Sequence, residues 1–185
     1  MILVTTSRRP TRRLLSFVKE FTYSLPNAFK IQRGKFGIYE LTRMAIDKGI
    51  KKIIVVHRWK GNPGKIEFGK INNSELKIIP PLIYLAGVKL RREYGAKGRF
   101  KIDSITFEKN STFKIKAIAK AFSEFFEIPL INEEIKGKFK VSLYISKHSK
   151  YEAKVAVTSL HNMNEVGPTF IIKHTIWENL NLNER

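Results

Sequence analysis

The sequence contains no cysteine, and this absence excludes several kinds of chemistry at once. A chain without thiols has no disulfide framework, no thiolate nucleophile and no cysteine-ligated zinc site. The absence also fits a reducing compartment, where structural disulfides are rare. We therefore expect an intracellular protein whose stability depends on its hydrophobic core.

Acidic residues are scarce relative to basic ones. The 185 residues include 16 Asp and Glu against 35 Lys and Arg, which gives a formal net charge of +19. A chain with this imbalance repels itself unless a polyanion neutralises it. We therefore predict a nucleic acid as the leading partner. An anionic membrane surface is the second possibility, but no lipidation motif supports it.

Long apolar runs are also missing, although apolar residues make up 43% of the chain. No run reaches the length that spans a membrane. The apolar start at Ile2 is too short for a signal peptide, and its charges lie on the wrong side. We expect a soluble, cytoplasmic protein without a membrane partner, folded as one compact domain or two small halves.

Recognisable catalytic motifs are absent from the sequence. The glycines and lysine between Gly61 and Lys65 do not have P-loop spacing, and the four histidines lack close metal-ligand spacing. Acidic residues are scattered, and the adjacent Glu133 and Glu134 point apart in either a helix or a strand. We therefore predict no enzymatic activity, no cofactor and no metal. A metal-dependent ribonuclease is the weaker alternative.

The basic residues near the N-terminus come in two bursts, and residues 1–35 include eight Lys or Arg against one acid, Glu20. One burst runs from Arg8 to Arg13, and a second follows with Lys30, Arg33 and Lys35. Between the bursts, apolar residues recur at helical spacing, with Arg12, Ser16, Lys19 and Tyr23 on the opposite side of the same helix. One face would dock in a core while the other meets a polyanion. The alternative is an ordinary solvated helix.

The pattern along the chain predicts a mixed α/β fold. Predicted strands cover Ile2–Thr6, 27–31, 51–59, 82–90 and 169–177, with a hairpin over 139–145 and 151–157. Predicted helices begin after Thr11 and at Gly37, and a third follows a cap at Ser111 or Thr112. The centre of the third strand is apolar on both faces, which predicts a sheet covered on both sides.

A basic loop over 91–101 is the best boundary between two halves, of about 1–90 and 100–177. Each half contains an aromatic-rich helix that ends at a proline. In the first half, Arg58 and Lys60 flank Trp59 next to a turn signal at 60–65. Trp59 suits base stacking combined with phosphate contacts, and the alternative is a core or rim aromatic.

Several of these residues together resemble a known family. The stretch 5–10 (TTSRRP), Arg13-Leu14, the stretch 25–28 (LPNA) and Arg33-Gly34 resemble the opening of the Brix domain. Later landmarks occur in the same order: 55–57 (VVH), Gly61-x-Pro63 and 166–170 (VGPTF). The match covers nearly the whole chain. It is most similar to the Imp-type branch and looks like the archaeal form, which has no extensions.

The resemblance implies a single Brix domain over 1–185, built from two halves that each resemble the anticodon-binding domain of class IIa aminoacyl-tRNA synthetases. It also implies a ribosome-biogenesis factor that binds ribosomal or precursor ribosomal RNA, with other assembly proteins as partners. An archaeal form would be cytoplasmic, whereas eukaryotic relatives are nucleolar. The chain departs from the family at Thr169, often a basic residue, and over 71–81, which lacks an Imp-type Gly-Pro.

The charge clusters and the motif match together predict an RNA-binding surface. Its predicted residues are Arg8, Arg9, Arg12, Arg13, Lys19, Arg33, Lys35, Arg58, Trp59 and Lys60. The four arginines of the first burst form the primary clamp, because a planar guanidinium binds phosphate with two hydrogen bonds. The alternative is a protein-interaction scaffold whose basic face meets an acidic partner within a ribonucleoprotein.

Overall fold

The computed structural model describes residues 1–131 and 137–178. These residues form one nine-stranded sheet with three α-helices and a short 3₁₀ helix at Arg91–Tyr94. The strands are β1 Ile2–Thr6, β2 Ala28–Lys30, β3 Lys52–Trp59, β4 Asn62–Asn72, β5 Glu75–Lys89, β6 Ser104–Phe107, β7 Val141–Ser146, β8 Ala153–Ser159 and β9 Glu165–Ile176. The helices are α1 Arg12–Ser24, α2 Ile38–Asp47 and α3 Phe113–Phe126.

The strand order β2-β1-β3-β4-β5-β9-β8-β7-β6 contains the same arrangement twice. In the N-terminal half (β1–β5), β1 pairs in parallel with β2 and β3. In the C-terminal half (β6–β9), β6 pairs in parallel with β7, and a parallel bridge from Ile105 to Leu130 takes the place of β2. The last strands of the halves, β5 and β9, pair antiparallel. The predicted mixed α/β fold is confirmed, whereas the division of one domain into halves of about 1–90 and 100–177, and the likeness of each half to a synthetase domain, stay predictions.

Local sequence signals explain where the two long helices begin. Thr11 caps α1 by accepting a hydrogen bond from the Leu14 amide at 3.3 Å. Thr112 caps α3 in the same way through the amide of Ile115. A threonine at this position satisfies an amide that has no partner inside the helix. Both caps agree with the sequence-based prediction.

The main core is shared between the halves. Phe17 and Phe21 of α1 pack edge-on against Phe170 of β9, with ring centroids 6.0 and 5.9 Å apart. Phe125 of α3 packs against Phe68 of β4 at 4.9 Å. Each long helix therefore covers strands of the opposite half, and one apolar core joins them. On the other face of the sheet, α2 covers a smaller core, which is formed by Leu3, Ala45, Ile50, Ile53 and Val55.

Two lysines hold the ends of the long helices, one lysine for each helix, and each comes from the opposite half. Lys52 Nζ donates to the Phe125 carbonyl at the end of α3, at 2.7 Å. Lys101 Nζ donates to the Leu25 carbonyl after α1, at 2.6 Å, and burial lowers the pKa of this lysine. A cation at a helix C-terminus satisfies free carbonyls and complements the helix dipole. These two charges therefore serve the fold.

The starts of two strands and the presence of a third strand differ from the sequence-based prediction. The prediction that β5 begins at residue 82 is wrong, because the strand begins at Glu75 and passes through Pro80 and Pro81. The prolines lie where the pairing with β4 shifts register, so their missing amides break no regular ladder. Likewise β9 begins at Glu165 rather than Thr169, and β6 was not predicted. Glu133, Glu134 and the Asn-rich final residues lie outside the described residues.

Candidate nucleic-acid interface

The first burst of arginines lies at one end of the sheet, next to the hairpin between β3 and β4. Because β1 and β3 are parallel, with Thr6 opposite Val56, the residues that follow both strands meet at the same edge. The Ser7 hydroxyl accepts a hydrogen bond from the Arg58 amide at 3.2 Å. The hydroxyl of Thr11 donates to the Gly61 carbonyl at 2.7 Å. The start of α1 and the hairpin tip are thus held together.

Two of the predicted cations lie against the same loop before α2. Nη2 of Arg8 lies 3.5 Å from the place that a Cβ on Gly37 would occupy, so this guanidinium rests against the start of α2. Arg33 donates from Nε to the Phe36 carbonyl at 3.0 Å in the same loop. Burial and then the charge of Arg8 lower the pKa of Arg33, while Glu67 opposes them. The loop after β2 therefore brings like charges together, at a cost that a bound anion would relieve.

We define the arginine cluster as Arg8, Arg9, Arg12, Arg33 and Arg58. All except the half-buried Arg33 are exposed, and the exposed Lys35 and Lys60 lie in the adjoining loop and hairpin. Within residues 1–131 and 137–178, no ion pair involves any of the five arginines. The cluster thus presents positive charge that these residues do not neutralise by ion pairing.

Arg13 differs from the other members of the predicted clamp. Its guanidinium binds the Glu93 carboxylate with two hydrogen bonds of 2.7 and 3.1 Å and also donates to the Val88 carbonyl at 2.8 Å. The side chain is 35% exposed, and this contact attaches α1 to the 3₁₀ helix. Arg13 therefore has a structural role, and its predicted RNA contact stays a prediction with a weaker basis.

Lys19 lies two turns further along α1, in a separate basic notch. The notch is a cavity of about 220 Å³ between α1 and the segment after β5, where Arg91, Arg92 and Arg99 also lie. Lys19 Nζ and the Arg99 guanidinium are 5.9 and 4.8 Å from the ring centre of Tyr23. The basic loop 91–101 could be recognised in the sequence, but the cavity that it shares with Lys19 could not, because the two are over 70 positions apart.

Trp59 is 69% exposed at the end of β3, so the alternative of a core aromatic is wrong, while that of a rim aromatic stays open. Gly64 lies beside it across the hairpin, where an added Cβ would come within 2.2 Å of the Trp59 Cβ. Only glycine leaves room for this close approach. The hairpin therefore holds an indole ring outward beside Arg58 and Lys60, the arrangement predicted for base stacking.

The described ranges contain neither a cluster of metal-ligating side chains nor a membrane-spanning helix. Among residues 1–131 and 137–178, no three His, Asp or Glu side chains are close enough together to share a metal ion. Within the same ranges, every helix is too short or too polar to cross a membrane.

Known proteins resemble this chain in both sequence and structure. No protein-family model matches the chain. Curated proteins from Pyrococcus horikoshii and Pyrococcus abyssi, both named probable Brix domain-containing ribosomal biogenesis protein, are 40% and 39% identical over 129 residues. Each alignment covers 67% of this chain and 57% of the relative, so the chain matches little more than half of their length. The crystal structure of a probable ribosomal biogenesis protein from Aeropyrum pernix is 30% identical, with a TM-score of 0.76 over 93% of this chain and 94% of that one.

This chain belongs to the Brix domain family. The predicted resemblance is thereby confirmed. An archaeal Imp4-like protein, Mil, shares the Brix fold with a TM-score of 0.66 over 95% of this chain and 99% of its own, at 15% identity.

The structure gives a physical reason for one Brix landmark, the Gly-Pro near the end. A Cβ on Gly167 would lie 2.7 Å from the Cβ of Val157 on the neighbouring strand β8, so this position accepts no side chain. Thr169, which replaces a frequent basic residue, is buried and donates to Glu165 at 2.7 Å. Both residues therefore support packing in this Brix domain.

One half-buried acid lies between a histidine and a lysine next to the cluster. Glu67 of β4 contacts His57 Nε2 at 2.8 Å and Lys65 Nζ at 2.5 Å. Burial alone would raise the pKa of Glu67, but the hydrogen bonds and charges of His57 and Lys65 outweigh it and lower the pKa to about 2. The carboxylate therefore stabilises the folded Brix domain wherever it is ionised.

Replacing Glu67 by glutamine should lower the free energy of unfolding at pH 7 by about 3 kcal/mol. The carboxylate contributes fully above its ordinary pKa of 4.5 and loses its contribution as the pH falls towards 2. Urea unfolding of both proteins at about pH 7, 4 and 3 should therefore show a difference that narrows with acidity. Glu124→Gln is the control, since its exposed carboxylate lies 3.9 Å from Lys120. A difference that stays constant with pH would contradict the assignment.

Proposed function

We propose that this Brix protein is a non-catalytic ribosome-biogenesis factor that binds ribosomal or precursor ribosomal RNA through the arginine cluster. By holding an RNA segment, it would assist ribosomal RNA processing and subunit assembly. The observation that carries the proposal is that Arg8 and Arg33 lie against the adjacent residues Gly37 and Phe36, in a cluster without ion pairs among the described residues. The names of the curated relatives support the ribosomal context.

The chemistry of the cluster favours the RNA backbone as its ligand. Guanidinium groups bind phosphate oxygens with two parallel hydrogen bonds, and several of them together match a chain of regularly spaced phosphates. Binding of this kind releases counterions, so affinity should fall steeply with salt concentration. Phosphate contacts fix position rather than sequence, so selection of a ribosomal segment would depend on RNA shape or on further contacts.

The cellular setting follows from the archaeal relatives. The curated relatives come from archaea, which have no nucleus, so the proposed site of action is the cytoplasm. Other assembly proteins are the proposed further partners. The matched region covers only 57% of each curated relative. The assembly partners are therefore proposed for the whole protein and not assigned to this region alone.

Crosslinking in the native cells, followed by sequencing of the attached RNA, tests the proposal. We expect reads concentrated on ribosomal RNA precursors, and fewer reads when Arg8, Arg9 and Arg12 are replaced by glutamine. Reads spread evenly over transfer and messenger RNA would contradict it. Association with pre-ribosomal particles that needs no RNA crosslink and resists ribonuclease would favour the protein scaffold. Magnesium-dependent degradation of RNA by the purified protein would favour a ribonuclease.

A further inference from the structure

A second cavity, of about 410 Å³, opens beside the arginine cluster on the side of the sheet that α2 partly covers. Its volume is within the range of cavities that hold small ligands, unlike the notch at Lys19. Its lining includes Arg58, Trp59, Lys65, Tyr84, Lys173 and His174. His57 also lines it, so four aromatic or imidazole rings and three cations surround one space.

The strand register explains why residues so distant in sequence meet there. His57 of β3 lies opposite Lys65 of β4, Lys65 opposite Tyr84 of β5, and Tyr84 opposite His174 of β9. These four side chains form one row across four neighbouring strands, since directly opposite residues point to the same face. The row crosses from β5 to β9, so the cavity exists only where the two halves join.

The rings are arranged as a platform rather than as a packed core. Tyr84 and His174 stack with ring centroids 4.5 Å apart and an angle of 15° between the planes. Lys65 Nζ lies 5.9 Å from the Tyr84 ring centre. Trp59 is 69% exposed at the edge of the same cavity. Exposed rings next to cations are typical of sites that stack unpaired bases.

The charges around the platform favour an anionic ligand over an apolar one. Glu67 neutralises Lys65 through the 2.5 Å contact already described. Among the described residues, neither Arg58 nor Lys173 takes part in an ion pair. Arg58 belongs to the arginine cluster as well, so it connects the cavity to the proposed path of the RNA backbone.

We infer that this cavity binds one unpaired nucleotide of the RNA held by the arginine cluster. The base stacks against Trp59 or the Tyr84–His174 pair, and its phosphate meets Arg58 and Lys173. The inference rests on the proposed function, because the cluster supplies the rest of the RNA contact. It adds a site for a base to a surface that otherwise contacts only phosphates.

Fluorescence of Trp59 provides a direct test. The chain has two tryptophans, so Trp177→Phe leaves Trp59 as the only indole reporter. This variant is titrated with an oligouridylate of about ten nucleotides, a length that suits a single-stranded site. Inorganic polyphosphate of similar length is the second ligand, because it carries the charge without bases. We expect the oligonucleotide to quench Trp59 and polyphosphate to bind without quenching.

Affinity measurements on variants complete the test. Trp59→Ala and Tyr84→Ala should each weaken binding of a labelled oligouridylate about tenfold and leave polyphosphate binding unchanged. Trp59 is exposed, so we expect Trp59→Ala to have little effect on folding. This variant keeps the test valid if Tyr84→Ala destabilises the fold. Phe113→Ala, which removes a ring that is 84% exposed at the start of α3, is the matched control.

Each outcome separates the inference from the proposed function. RNA binding that depends on the cluster but neither quenches Trp59 nor responds to Trp59→Ala would overturn the inference and leave the proposed function intact. Equal quenching by polyphosphate would also overturn it, because the cavity would then recognise charge alone. Failure of both ligands to bind would remove the proposed function as well.

Discussion

Replacing Arg8, Arg9 and Arg12 by glutamine should reduce the affinity for single-stranded RNA roughly a hundredfold at moderate salt. All three side chains are exposed, and none forms an ion pair among the described residues. Replacing them therefore removes the proposed phosphate contacts without breaking an ion pair within the fold. The slope of log affinity against log salt should become shallower by about two, since each contact on single strands contributes about 0.7.

Fluorescence anisotropy of a labelled RNA at several salt concentrations measures both quantities. A matched control replaces Lys109, Lys114 and Lys116 by glutamine, which removes the same charge from exposed lysines at and before the start of α3. If this control loses as much affinity as the cluster variant, binding follows net charge and the cluster has no special role. Arg13 is left unchanged in both variants, because its loss would release Glu93 and loosen α1.

Much of the fold could be predicted because its signals are local. The apolar periodicity around Phe17 and the cap at Thr11 lie within one helix. The strict alternation in β7 and β8 predicted their hairpin, which the pairing of Ile145 with Val155 confirms. Strand β6 was missed because two of its four residues, Ser104 and Thr106, are polar yet buried, with Thr106 bonded to Ser142 at 2.7 Å.

The candidate site was only partly predictable because its decisive contacts join distant positions. Charge density alone indicated the burst from Arg8 to Arg13, but not that Arg13 pairs with Glu93, 80 positions later. The stacked pair Tyr84 and His174 depends on the antiparallel register of β5 with β9, which no local pattern encodes. Sequence patterns therefore predicted a basic surface suited to RNA, and tertiary contacts determined which residues belong to it.

Each long helix packs on strands of the opposite half, and this packing has a consequence for stability. Phe21 on α1 is 1% exposed and touches aromatic rings from both halves, with Phe17 at 5.8 Å, Phe170 at 5.9 Å and Phe126 at 6.3 Å. Removing this ring leaves a cavity at the point where the halves share their core. A core that is continuous in this way should unfold as one cooperative unit.

Phe21→Ala should therefore lower the free energy of unfolding by about 3–5 kcal/mol in a single transition. Urea unfolding followed by far-ultraviolet circular dichroism gives the loss. The fluorescence of Trp59, in Trp177→Phe, reports the N-terminal half, and that of Trp177, in Trp59→Phe, reports the end of β9. The midpoints from all three signals should move together, whereas Phe113→Ala on the exposed side of α3 should change them little. If Phe21→Ala shifts only the Trp59 transition, the halves unfold separately, and a nucleotide site at the β5–β9 junction would then depend on docking of two independent units.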